Sequence, residues 1–155
     1  MAVKNAKKII GLRRRKVRDA EGRHVIEGIR LVGEALQSRA PVEQLVFCRD
    51  MVSRNDRLQR LMKEAQSQGV LIQDTDFRAF KNMGESQTPE GVMGVVAMKD
   101  WDQDQALDAE GPILLLDRVK DPGNLGLILR TAEAAGVAGV FLSSGSVELH
   151  NPKVV

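Results

Sequence analysis

The 155-residue sequence predicts an α/β fold in two successive units. Three observations carry that expectation. Apolar runs of strand length alternate with stretches of helical spacing. An acidic, core-poor stretch interrupts the alternation at residues 99–111. Beyond it a new apolar strand, a Pro-Gly turn and a helix follow in βα order.

The first unit begins with residues 3–18, which read as a basic helix weakened by Gly11. Residues 24–28 form a short strand that runs into a turn. Ile29, Leu31, Val32, Ala35 and Leu36 then recur near helical spacing, and Pro41 ends that helix. Residues 42–48 are the next strand. Ser53 is placed to cap a helix whose apolar face is Leu58, Leu61, Met62 and Ala65, closed by Gly69. Residues 70–72 are a third strand, and Asp74 or Thr75 caps a short helix bearing Phe77, Phe80 and Met83. Residues 92–97 complete the unit as a strand of buried composition. The β-α-β-α-β-α-β order over residues 20–98 predicts an α/β sandwich, preceded by a basic arm at 1–19.

Residues 99–111 carry Asp100, Asp102, Asp104, Asp108 and Glu110 with few large apolar side chains, and read as a linker. The second unit, residues 112–155, opens with an apolar strand at 113–117. A turn at Asp121-Pro122-Gly123 leads to a helix over 124–135, stopped by Gly136, and a strand at 137–142. There is no internal repeat and no low-complexity tract.

Composition narrows the function classes. Hydrophobic residues make up 43% and charged residues 28%, as in ordinary globular proteins. No apolar run approaches the roughly 20 residues that span a bilayer, and the N-terminus lacks the apolar middle of a secretory signal. The single cysteine, Cys48, lies in an apolar run and reads as a core thiol. A cytoplasmic protein with no membrane partner is expected. His24 and His150 are too few and too distant to imply a metal site.

The net charge of +2 conceals an asymmetry. Residues 1–30 hold ten bases, among them Lys4, against three acids, which leaves 13 bases and 18 acids for the rest. Lys7, Lys8, Arg13, Arg14, Arg15 and Lys16 are the candidate phosphate contacts, the alternative being a solvated tail. Only five aromatics occur, four of them phenylalanines at apolar positions, so core roles are expected for them. Shape and phosphate recognition of folded RNA is then favoured over base stacking.

The most informative stretch is Asp117 to Ala132. It runs from strand through turn into helix, at the strand end where open α/β sheets bind ligands. Asn124 reads as the helix cap or as part of a ligand loop. Gly126 permits close approach of a backbone or ligand. Arg130 interrupts an apolar helix start, either as a surface or paired arginine or as an anion contact. Six residues of regular helix turn Arg130 about 120° from Asn124, so they converge only if Asn124 stays in the turn. The stretch is neither a Walker loop nor GxGxxG, and a dinucleotide enzyme is disfavoured.

The spacing Asn124…Gly126…Arg130, set in Asp-x-x-x-Asp-Pro-Gly-Asn-Leu-Gly-x-Ile-x-Arg-Thr-Ala, resembles the first motif of the SpoU/TrmH methyltransferases of the SPOUT superfamily. Glu27-Gly28-Ile29-Arg30-Leu31-Val32 and Thr88-Pro89-Glu90-Gly91-Val92 resemble the two ends of that family's substrate-binding domain. Asn151-Pro152-Lys153-Val154-Val155 resembles the opening of its second motif. The resemblance implies an L30e-like sandwich followed by the first part of a SPOUT methyltransferase domain. It implies S-adenosyl-L-methionine as methyl donor, ribosomal RNA as substrate ahead of transfer RNA, a homodimer for a complete member, and Asn124 and Arg130 as catalytic residues. In the family the remainder of the second motif and the third together form the knot that holds the donor, so the resemblance places the donor residues beyond Val155 and this chain alone is expected to be inactive. A non-catalytic RNA-binding module is the alternative.

Overall fold

The computed structural model describes Val3 and residues 5–155, which fall into two compact units, Met1–Met98 and Lys99–Val155. Lys4 of the basic stretch lies outside the described residues.

In the first unit a four-stranded sheet has the order β1-β4-β2-β3: β1 Arg23–Glu27, β2 Val42–Cys48, β3 Leu71–Thr75 and β4 Val92–Ala97. β4 runs antiparallel to both β1 and β2, while β2 and β3 are parallel. A parallel pair needs a crossover. It is supplied by α4 (Arg49–Val52) and α5 (Asp56–Ser67). The central strands carry core residues on both faces, which is why β2 shows no hydrophobic alternation in sequence. Leu45 and Phe47 join α3 (Ile29–Gln37) and α5 in one core. Val46 and Cys48 point the other way, into a second core with Phe80 and Met83 of α6 (Phe77–Met83). The Cys48 thiol is fully buried, and that burial raises its pKa.

The basic arm expected at 1–19 is instead part of this second core. A single helix does not form there. The chain makes α1 (Ala6–Gly11) and α2 (Arg15–Glu21), separated by a break at residues 12–14. Ile9 and Leu12 are buried against the sheet with Val46 and Met93. The physical reason is the two-sided sheet, whose second face α6 alone leaves partly uncovered. Arg18 is buried and donates to the Leu12 and Arg13 carbonyls, both at 2.8 Å, so it closes the break between the helices. Its desolvation lowers the guanidinium pKa.

Two helix caps in this unit differ from expectation. Asn55, rather than Ser53, caps α5 by accepting from the Arg57 and Leu58 amides. β3 continues to Thr75, so the cap of α6 moves from Asp74 or Thr75 to Asp76, which accepts from the Ala79 amide. That hydrogen bond lowers the Asp76 pKa. Phe77 is 43% exposed rather than core, whereas Phe47 and Phe80 are fully buried.

Gly28 and Glu90 explain one another. Gly28 opens α3 at φ 107°, and a Cβ there would sit 2.9 Å from Glu90 Oε2. The space it leaves lets Glu90 accept from the Ile29 amide at 2.7 Å, capping the helix from 61 residues away. Glu27 accepts from the Glu85 and Ser86 amides at 2.9 and 3.3 Å and so holds the loop after α6.

The second unit contains α7 (Gln103–Asp108), β5 (Ile113–Leu116), α8 (Pro122–Ala134) and β6 (Gly139–Leu142). The stretch expected as a linker therefore carries a helix, capped by Asp102. Ala106 of α7 packs over Gly139 of β6. β5 and β6 pair in parallel, with Ile113 opposite Gly139. Leu115 on β5 is 76% exposed. Among the described residues no helix is long and apolar enough to cross a membrane, and no group of three or more His, Cys, Asp or Glu is placed to hold a metal ion.

Candidate functional site

The carboxyl ends of β5 and β6 are tied together by side chains. Ser143 Oγ donates to Asp117 at 2.7 Å and accepts from the Arg118 amide at 2.9 Å. Arg118 adopts the left-handed region at φ 50°, a costly conformation for a residue with a Cβ. The Ser143 contact and its own ion pair with Asp117, at 3.1 Å, hold it there. Ser146 Oγ accepts from the Val119 amide, and the Val147 amide donates to the Val119 carbonyl at 2.8 Å. This network fixes the loop that delivers the chain into α8.

Asp121 starts α8, accepting from the Asn124 amide at 2.7 Å, with Pro122 at the first helical position. Asn124 is therefore not the cap; it is the third residue of the helix. Its side chain is exposed and has no hydrogen-bond partner among the described residues. With Asn124 on the helix rather than in the turn, Asn124 and Arg130 lie on directions about 120° apart.

Arg130 is exposed and unpaired among the described residues. Its side chain folds back over the preceding turn. A Cβ built on Gly126 would lie 3.6 Å from Arg130 Nη1 and 2.7 Å from the Val154 carbonyl oxygen. Gly126 is thus the floor on which the backbone of residues 151–155 rests. That segment is a compact turn: the Asn151 carbonyl accepts from the Val154 and Val155 amides, and Asn151 Oδ1 accepts from the Lys153 amide. Val154 is 5% exposed. Arg130, Gly126 and the turn at 151–155 are brought together; Asn124 is displayed separately near the helix start.

The six basic candidates all lie in the first unit and all are exposed. Arg13 is already engaged, donating to the Asn82 carbonyl at 2.9 Å and to that of Gly84, at the end of α6. Arg15 pairs with Asp19 at 3.5 Å along α2. Lys7, Lys8, Arg14 and Lys16 carry no such tie among the described residues. The positioning roles of Arg18, Glu27 and Glu90 are missed by sequence reasoning, because each partner lies on a different element or across a loop.

Residues 3–94 match the family model described as the MRM3-like substrate binding domain, and residues 111–155 match that of the SpoU rRNA Methylase family. The chain belongs to the SpoU/TrmH methyltransferase family. Similar members include the human mitochondrial rRNA methyltransferase 3, 33% identical over 91% of this chain and 33% of that protein. The 23S rRNA (guanosine(2553)-2′-O)-methyltransferase RlmP of Bacillus subtilis is 33% identical over 93% of this chain and 53% of that protein. A solved TrmH-family structure from Porphyromonas gingivalis superposes with a TM-score of 0.76 at 31% identity, covering 99% of this chain and 57% of that one. The chain spans between a third and about half the length of these curated relatives.

Another structural relative in the family, an rRNA methyltransferase from Sinorhizobium meliloti, is described as bound to AdoMet; it superposes with a TM-score of 0.79 at 25% identity, over 99% of this chain and 57% of that one. At the strand ends the polar groups of Asp117, Ser143 and Ser146 are committed to one another and to the loop backbone, so this cluster shapes the loop rather than holding a donor.

Proposed function

We propose that this sequence serves the methylation of ribose 2′-hydroxyls in ribosomal RNA, with S-adenosyl-L-methionine as the methyl donor. The observation that carries the reading is Arg130: an unpaired guanidinium lying over Gly126, beside the turn at 151–155. An arginine in this position orients an anion through its guanidinium donors. Its planar fork holds a phosphate or ribose oxygen at two points and stabilises charge as the hydroxyl reacts. Asn124 offers an amide near the helix start for a second contact. Lys7, Lys8, Arg14, Arg15 and Lys16 bind the RNA backbone from the first unit, with Arg13 serving mainly the fold. A homodimer and a cytoplasmic setting are part of this proposal; the human relative is named as mitochondrial.

The test uses a chain that carries this sequence together with the remaining length of its relatives. Transfer of labelled methyl groups from S-adenosylmethionine to ribosomal RNA is measured for the parent and for Arg130→Lys. The expected result is a fall in turnover of about 100-fold or more with unchanged donor affinity. Near-full activity in the variant would show that Arg130 is a structural residue.

A further inference from the structure

We propose that the first unit holds a nucleotide pocket, in which an unstacked RNA base enters between the N-terminal helices and the sheet. This rests on the reading of RNA as the substrate. A cavity of about 430 Å³ lies between α1, α2 and the starts of β1 and β2. That volume falls within the range of about 300–1,000 Å³ typical of small-ligand sites. Its apolar walls come from Ile9, Leu12, Val17 and Val95, aliphatic side chains that can cover the flat face of a base.

The inner wall also carries Gln44, which is 8% exposed. Its Nε2 is buried and has no hydrogen-bond partner among the described residues. Such donors are seldom left unused, because withdrawing them from water is costly unless a partner replaces it. A primary amide offers a donor and an acceptor side by side, which is the pattern that meets the edge of a nucleobase. A modest rotation of the side chain toward the cavity supplies the missing partner when a base is present.

The rim fits the remainder of a nucleotide. Lys7 and Lys8 line the cavity and are exposed, placed to meet a phosphate. The lining also carries Arg23, paired with Glu43 at 2.5 Å and with Glu21 at 3.8 Å, a cluster in which two carboxylates outweigh one guanidinium. RNA recognition commonly uses splayed single-stranded bases, and this pocket accepts one without an aromatic platform.

The experiment uses the 155-residue chain labelled with nitrogen-15. AMP, GMP, CMP and UMP are titrated separately while the Gln44 side-chain amide signal is followed, and a single-stranded RNA oligonucleotide is titrated in parallel. At least one nucleotide should move the Gln44 signal, and the oligonucleotide should move the same signal at lower concentration. Gln44→Leu removes the amide but keeps apolar packing; it should weaken nucleotide and oligonucleotide binding about tenfold with the melting temperature unchanged or higher. Val17→Phe, which fills the cavity, should weaken both as well. If the oligonucleotide binds but the Gln44 signal stays still with all ligands, the pocket is wrong and the RNA reading stands. If mononucleotides move the signal and RNA does not bind, the pocket stands and the RNA reading fails. Equal affinity in parent and Gln44→Leu would overturn the assignment of the amide.

Discussion

Asp121 and Asn124 sit three residues apart and their roles divide sharply. The sequence reads Asn124 as the cap of α8 or as part of a ligand loop, yet Asp121 Oδ1 receives the Asn124 amide and Asn124 has entered the helix. Asp121→Ala should therefore cost about 1 kcal/mol of stability, while Asn124→Ala should cost much less. Denaturant unfolding of the two variants checks this, and equal losses would return the cap to Asn124. Gly126 gives a second expectation at this scale. Gly126→Ala places a Cβ 2.7 Å from the Val154 carbonyl oxygen, a backbone atom that must move. The turn at 151–155 should loosen, at a cost of about 1–3 kcal/mol in the docked state. Hydrogen exchange at the Val154 and Val155 amides should speed up in the variant, and unchanged protection would show that the turn does not rest on Gly126.

At the scale of elements, α1 is the most informative. Its charge reads as a tail, but Ile9 is 2% exposed and Leu12 4% exposed, both in the core beneath the sheet. Truncating Ile9 to Ala should cost about 2–5 kcal/mol, as at any well-packed core site. A loss within about 0.5 kcal/mol, measured by thermal or urea unfolding, is the value for an exposed tail and would contradict the packing. The same helix shows why sequence reasoning misplaced it. Ile9, Ile10 and Leu12, set in a basic stretch and followed by a break, make a weak periodic signal, and the burial of Ile9 and Leu12 is dictated by the uncovered face of β2 and β4 rather than by α1 itself. The caps of α5 and α6 moved for a related reason: several capable residues cluster before each helix, and strand pairing chooses among them. β3 continues to Thr75 through its pairing with β2, which leaves Asp76 as the first residue free to cap.

For the whole molecule, the consequence concerns where the first unit begins. A fragment of residues 1–98 retains both core clusters. A fragment of residues 20–98, the boundary read from the sequence, lacks Val3, Ile9 and Leu12 and exposes Val46 and Met93. The longer fragment should show a cooperative melt, and the shorter one should melt many degrees lower or bind a hydrophobic dye. Equal melting temperatures would return residues 1–19 to the status of an arm.

The α/β class, the order of β1 to β6 and of α3, α5, α6 and α8, and the motif spacing on which family membership rests were legible in the sequence. These are local properties, carried by periodicity, by Pro-Gly punctuation and by residues such as Gly126 and Arg130 at fixed separations. The sequence also marked Arg130 as out of place on an apolar helix start. Matters of partner and face emerged only in the folded chain. Glu90 caps α3 from 61 residues away, Arg18 closes the break after α1, Val154 rests on Gly126, and Gln44 keeps an unpartnered donor beside a cavity. Each depends on contacts between residues distant in sequence or on different elements. Hydrogen bonding and burial act through space, so the chain encodes them without displaying them in any local pattern.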